Sequence, residues 1–203
     1  MGRLNRLLRK AVNWKNQKRL KNRDFSLLSS NCNGVFILHD LGLRFNSPTV
    51  NLWITPHDFV RFLQKPQYYL EQSITFVDEP GVRHPVGRLD DIKIWFTHYS
   101  SQEQALEKWN ERAARLDYEN LFILMSDRDG CTYQDLADFD ALPYKNKIVF
   151  THVPYPQFRS AYYLKGWERE ECVGECYQFV NGYSGKKHYD AFDYVAWFNG
   201  ELY

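Results

Sequence analysis

"NLFILMSDRDGCTYQDLADF", residues 120–139, decides the fold. From Leu121 to Ser126 the chain is apolar or small without the alternation of a half-exposed strand, the pattern of a strand buried on both faces. It then breaks into Asp127, Arg128, Asp129 and Gly130, which favour a turn, and Thr132 stands where it can cap a short helix carrying Leu136 and Phe139. A buried strand, a tight turn and a helix make the repeating unit of a parallel α/β sheet.

Similar runs lie on either side: FSLLS at 25–29, TVNLWI at 49–54, IKIWFT at 92–97 and KIVFT at 147–151, each predicted as a strand. Helical patterns separate several of them. Val35 to Leu41 ends at Gly42, which suits a left-handed helix end. Thr55 can cap a helix with Pro56 at its first position and Phe59, Phe62 and Leu63 on one face, until Pro66 interrupts. Ser100 stands three residues before Glu103, the capping-box spacing, ahead of a stripe of Leu106, Trp109, Ala113 and Leu116. Tyr189, Phe192 and Ala196 suggest a last helix ending before Gly200. Residues 74–90, with Pro80 and Gly81 between two β-like runs, read as a hairpin excursion that can cover a site. The expected architecture is α/β: three α/β/α layers around a mostly parallel sheet.

The 203 residues, 44% hydrophobic and 25% charged, suit a single domain over 24–203 behind a distinct segment, 1–23. That segment holds nine of the 26 Lys and Arg and none of the 25 acids, with Leu4, Leu7, Leu8 and Ala11 at helical spacing. It reads as a basic amphipathic helix, able to lie on an anionic membrane surface or to dock on its own domain. The acidic remainder and the lack of a recognition motif argue against nucleic acid. The absence of an 18-residue apolar span or a signal-peptide stretch makes the cytoplasm the expected location, with peripheral contact at the inner face of the membrane. The four cysteines are then reduced thiols. Cys172 and Cys176 form a C-x3-C pair with no second pair, short of the four ligands of a structural zinc. Aromatics reach 17%, more than a core alone requires, and flat aromatic faces are what sugar sites often use.

In open parallel sheets ligands bind beyond the carboxyl ends of the strands, where loops fan apart and helix amino termini point free N–H groups into the gap. The residues that follow the runs are Ser29, Ser30, Asn31 and Cys32; His98 and Tyr99; Asp127, Arg128, Asp129 and Cys131; and His152. If the strands are parallel and adjacent, these groups converge on one edge. A cysteine on a strand-to-helix turn lies near the positive end of a helix dipole, which lowers a thiol pKa. His98 can serve as its base and Asp127 can orient that imidazole, an arrangement used for acyl transfer. Cys32 as a small buried residue and His98 as a strand-end histidine is the competing structural reading. Asp127 and Asp129 also form an Asp-x-Asp pair, the arrangement by which many glycosyltransferases hold magnesium or manganese against a nucleotide-sugar. No G-x-G-x-x-G, Walker loop, H-E-x-x-H or G-x-S-x-G occurs, which argues against dinucleotide enzymes, NTPases, zincins and lipase-type hydrolases.

The blocks SSNCNG, SPTVNLWI, HPVGRLDDIKIWFTHYSS, KWNERAARLDYENLFILMSDRDGCT, FDALPYKNKIVFT and KKHYDAFDYVAWFNG, over about residues 22–200, resemble a bacterial domain family of unknown function usually labelled exopolysaccharide biosynthesis protein. The resemblance implies a three-layer α/β/α fold and an association with surface polysaccharide. It carries over no reaction. Members commonly have an aromatic where this chain has Asn33. Residues and resemblance together give the expected function: a sugar-modifying transferase at the cytoplasmic side. Cys32, His98 and Asp127 would be catalytic, Ser30, Asn31, Arg128, Asp129 and His152 would bind ligand, and acyl-coenzyme A would be the donor. Two alternatives stand beside it, a metal-dependent glycosyltransferase or nucleotide-sugar binder using Asp127 and Asp129, and a non-catalytic glycan- or membrane-binding protein.

Overall fold

The computed structural model describes residues 3–202. Its element order is α1 (Arg3–Arg19), β1 (Ser26–Ser29), α2 (Asn33–Leu41), α3 (Pro56–Gln64), α4 (Pro66–Glu71), β2 (Thr75–Val77), β3 (Val86–Leu89), β4 (Ile92–Trp95), α5 (Gln102–Ala113), β5 (Leu121–Ser126), α6 (Tyr133–Ala141), β6 (Lys147–Thr151), β7 (Ala161–Tyr163) and α7 (Tyr194–Phe198), with a 3-10 turn at His188–Ala191 before α7. The main sheet runs β1-β5-β6-β7 and every neighbouring pair in it is parallel. The excursion is real: β2 and β3 pair antiparallel, and β4 adds to β3 to complete a separate three-stranded sheet.

The run that opens this account is the middle of the molecule. All six residues of β5 are buried, and they alternate between two cores. Leu121, Ile123 and Met125 pack with α3, α5 and α6, whereas Phe122 and Leu124 pack with α2 and α7. Helices therefore cover both faces, which is why the strand carries no polar alternation.

Two predicted strands need correction. Residues 49–54 are not a strand: Asn51 takes a left-handed φ of 66°, and the segment is a run of turns with one bridge, Trp53 to Trp95. It is apolar because Val50, Leu52 and Ile54 are buried, not because it pairs along its length. The 92–97 run supplies β4, but in the antiparallel sheet and not beside β1. Among helix ends, the α5 cap is Ser101, one residue later than the spacing suggests, whereas Thr55 and Thr132 cap as expected, Thr132 in a full capping box with Asp135. The last helix divides into the 3-10 turn and α7.

Of the basic segment, Met1 and Gly2 lie outside the described residues, and the rest packs on the domain as α1. Its inward face is mostly polar, with Leu8 and Val12 half-buried at its edge. Asn5 donates to the Asn181 carbonyl at 2.6 Å and accepts from the Gly185 N–H, Asn13 donates to Asp40 at 2.9 Å, and Asn16 donates to the Tyr194 hydroxyl at 2.8 Å. Arg9, buried, forks between Asp40 at 2.6 Å and Asp190, and Lys187 and Tyr189 complete the cluster. Burial alone would raise the Asp40 carboxyl, but hydrogen bonds from Lys187 and Tyr189 and the charge of Arg9 hold it below its ordinary value. Gly185, at a φ of 66°, lies so close to the helix that a Cβ there would sit 2.6 Å from the Leu8 carbonyl carbon.

Candidate functional site

The turn between β1 and α2 is built to present Cys32. A Cβ on Gly34 would fall 2.7 Å from that of Ser29, so only glycine lets the helix start this close to the strand it leaves. The Ser29 hydroxyl donates to the Asn31 carbonyl at 2.8 Å and accepts from the Gly34 N–H at 3.3 Å. The Asn31 side chain accepts from the Asn33 N–H at 3.2 Å and donates to the Ser126 hydroxyl at 2.7 Å, fastening the turn to the end of β5. Cys32 occupies the N-cap of α2, and its thiol makes no capping bond.

Instead the Cys32 Sγ lies 3.3 Å from the His98 Nε2. His98 arrives from beyond β4, in the other sheet, along a short tether. The Ser30 carbonyl accepts from the Ile54 N–H at 2.9 Å, and the adjacent Trp53 exchanges two backbone hydrogen bonds with Trp95, at 3.0 and 2.9 Å. The segment 53–54 thus buckles the end of β1 to the end of β4, and three residues beyond that buckle stands His98. The pair meets, although the two strands are not neighbours.

Asp127 does something else. Its carboxylate accepts from the His152 backbone N–H at 2.7 Å, bonds the His152 Nδ1 at 2.6 Å and accepts from the Val173 N–H at 2.8 Å. Both oxygens are thereby engaged and the side chain is buried, so Asp127 orients His152 and ties the 173 loop to the sheet. Among the described residues it makes no bond to His98, and neither Asp127 nor His152 lines the cavity at Cys32. Ser30 is buried and contributes through its backbone. The Asp-x-Asp pair divides in the same way, Asp127 inward and Asp129 outward, the latter at a left-handed φ of 63°. No group of three or more His, Cys, Asp or Glu arranged to hold a metal ion occurs among the described residues. The four cysteines are free thiols.

Around Cys32 and His98 opens a cavity of about 250 Å³. Asn31, Arg128 and Asp129 line it as the sequence predicts, together with Phe36, Trp53, Thr97, Glu175 and Tyr177, which strand-end reasoning missed. Phe36 and Tyr177 stack at 4.2 Å, and Trp53 packs on Trp95 at 4.2 Å, so two aromatic walls flank the thiol. The excess of aromatics was the one signal in the sequence that pointed to them. Burial, then the hydrogen bond and charge of Glu175, push the Tyr177 hydroxyl up to about 12, leaving it a proton donor at neutral pH. The Thr97 hydroxyl is buried without a hydrogen-bond partner, and so is the His84 Nε2 on the hairpin.

The electrostatics at the thiol reverse the expectation from the helix dipole. Burial first, and then the negative charge of Asp129, hold the Cys32 thiol above its ordinary value. At rest it is protonated and needs a base to become a nucleophile. The His98 Nε2, at hydrogen-bond distance, can be that base. Burial also pushes Cys131 and Cys176 up to about 12, with no imidazole bonded to either.

Comparison with known proteins agrees with the breadth of the sequence resemblance. The family described as a domain of unknown function, DUF1919, matches residues 3–199. A protein of Haemophilus influenzae described as uncharacterized is 50% identical over 196 residues, which covers 97% of this chain and 94% of the relative.

Proposed function

The chain belongs to the DUF1919 family, whose description names no reaction, and from the geometry of the cavity we propose that it is a cysteine-dependent acyltransferase acting on a sugar hydroxyl. One observation carries this reading: a half-buried thiol 3.3 Å from an imidazole nitrogen, both lining a cavity with aromatic walls. His98 Nε2 takes the Cys32 proton as the sulfur attacks the acyl carbonyl of a thioester donor such as acetyl-coenzyme A. The donor thiolate leaves and recovers that proton from the imidazolium. A sugar hydroxyl, deprotonated in turn by His98, then attacks the acyl-cysteine and frees the thiol. Arg128, in the cavity lining, would pair with a donor phosphate, and Trp53 and the Phe36–Tyr177 stack would offer flat faces to a sugar ring. At about 250 Å³ the cavity is smaller than the ~300–1,000 Å³ of pockets that enclose drug-sized ligands, which suits a small acyl group and one sugar ring with the rest of the donor outside. A surface-glycan precursor as the acceptor rests only on the resemblance of the sequence blocks to the family labelled exopolysaccharide biosynthesis protein.

The metal-dependent glycosyltransferase reading is less well supported, because Asp127 already accepts from His152 and Val173 and leaves Asp129 to hold a cation without it. Release of coenzyme A from acetyl-coenzyme A in the presence of mixed sugar acceptors tests the proposal. The wild type should turn over and Cys32→Ala should not. Equal rates, or stabilisation by nucleotide-sugar with manganese and none by coenzyme A, would count against it.

A further inference from the structure

Helix α1 docks by a mostly polar face and leaves an apolar stripe outside, with only Leu8 and Val12 half-buried. A surface helix that serves only to hold a domain together faces its leucines inward and its charges outward. Here Asn5, Arg9, Asn13 and Asn16 make the docked face, while Leu4, Leu7 and Trp14 are 55%, 63% and 60% exposed, with Ala11 exposed between them. The spacing 4, 7, 11, 14 puts these four on one stripe, roughly half a turn from the docked face. Lys15 and Lys18 are exposed on and beside the stripe, Lys10 and then Arg6 are exposed further round on its other flank, and α1 carries no acidic residue. The Lys18 ammonium rests 4.0 Å from the Trp14 ring centroid. The loop that clasps α1 through Asn181 and Gly185 adds Val180 and Tyr183, 51% and 73% exposed. Five of the nine large exposed apolar side chains among the described residues therefore sit on this helix or on the loop bonded to it.

We propose that this face docks the protein on an anionic lipid bilayer. Leu4, Leu7 and Trp14 enter the boundary between headgroups and acyl chains, and Arg6, Lys10, Lys15 and Lys18 pair with the anionic headgroups. Charge complementarity selects this occupant, since a leucine and tryptophan stripe set among cations, without one acid, matches an apolar layer under a sheet of negative charge. The polar inward face is what allows it: Arg9 and the asparagines hold the helix to the domain and leave the stripe free. Three large side chains make a shallow anchor, so attachment is reversible. None of the stripe residues lines the cavity at Cys32, and the inference stands apart from the acyl-transfer reading.

The test is co-sedimentation of the full chain with vesicles of phosphatidylcholine alone and of phosphatidylcholine with phosphatidylglycerol, with Trp14 fluorescence read in parallel. Binding is expected on the anionic vesicles only, weakening as salt is raised, with a blue shift in the tryptophan emission. The triple variant Leu4→Gln, Leu7→Gln, Trp14→Gln should lose partitioning by about tenfold or more, as should Lys10→Glu with Lys18→Glu. Because the side chains are exposed, both variants should keep the wild-type circular dichroism and melting temperature. No sedimentation, equal binding to both vesicle types, or anionic binding untouched by the triple substitution overturns the proposal. So does a wild-type dimer that the triple substitution converts to monomer in the absence of any vesicle binding, which would assign the stripe to a second copy.

Discussion

Two of the imidazoles at the site end of this fold, His98 and His152, are used in opposite ways. His152 is closed in: Asp127 binds its ring at 2.6 Å and its backbone N–H at 2.7 Å, and the same carboxylate accepts from Val173. His98 is open: it is exposed to solvent, bonds a thiol at 3.3 Å and faces a cavity. Buried polar groups that are fully bonded hold a structure together. A polar pair with free valence on a cavity can exchange its partners for a substrate. Under the proposed function, this difference gives stability to Asp127–His152 and chemistry to Cys32–His98, although Asp next to His is the more familiar catalytic pattern.

The comparison breaks most easily by removing each pair in turn. Cys32→Ala should abolish acyl transfer, a loss of at least about a thousandfold, and His98→Ala should cost about 10² to 10⁴ in kcat/KM, both with an unchanged melting temperature. Asp127→Ala should do the reverse of this. It strands buried donors of His152 and Val173, costing about 3 kcal/mol in urea unfolding, while enzyme that remains folded keeps the Cys32–His98 distance and most of its kcat. A greater loss of kcat than of stability in Asp127→Ala would merge the two pairs into one site.

Smaller effects sharpen the contrast. Trp53→Ala removes one aromatic wall and should raise the KM for the sugar acceptor about tenfold with little change in kcat, read from initial rates over an acceptor series. Asp129→Asn should act on the thiol alone. The Asp129 charge helps hold the Cys32 thiol above its ordinary value, so neutralising it favours thiolate and moves the pH profile of iodoacetamide alkylation to lower pH. At neutral pH the rate should rise by about three- to fivefold. A shift to higher pH would mean that Asp129 supports the reactive form.

Much of this layout is legible in the sequence where burial and chain connection coincide. The strand Leu121 to Ser126 reads correctly because both of its faces are buried and a capped helix follows. Cys32 is legible as a strand-end residue for the same reason, since Ser29, Asn31 and Gly34 are turn-forming types. Residues 49–54 misread because a buried segment of turns is as apolar as a strand, and the left-handed Asn51 leaves no mark on the hydrophobic pattern. The short edge strand Ala161–Tyr163, only partly buried, carried too few residues for any period. Of the residues that the strand ends nominate, Asn31, Cys32, His98, Arg128 and Asp129 line one cavity and Ser30, Asp127 and His152 do not, and their partners were not readable. Whether Asp127 meets His98 or His152 depends on the order of strands in space. That His98 reaches Cys32 at all depends on the Trp53–Trp95 buckle between two sheets.

The most direct test of the open pair is to look for the covalent intermediate. The chain is mixed with acetyl-coenzyme A without acceptor, quenched in acid and mapped by peptide mass spectrometry. The account predicts one acetyl group as a thioester on Cys32, lost on adding the sugar acceptor and much slower to form in His98→Ala, while Cys131 and Cys176, whose thiols burial holds protonated, stay unmodified. An acetyl group on another cysteine, or full turnover by a chain in which Cys32 is alanine, would contradict it.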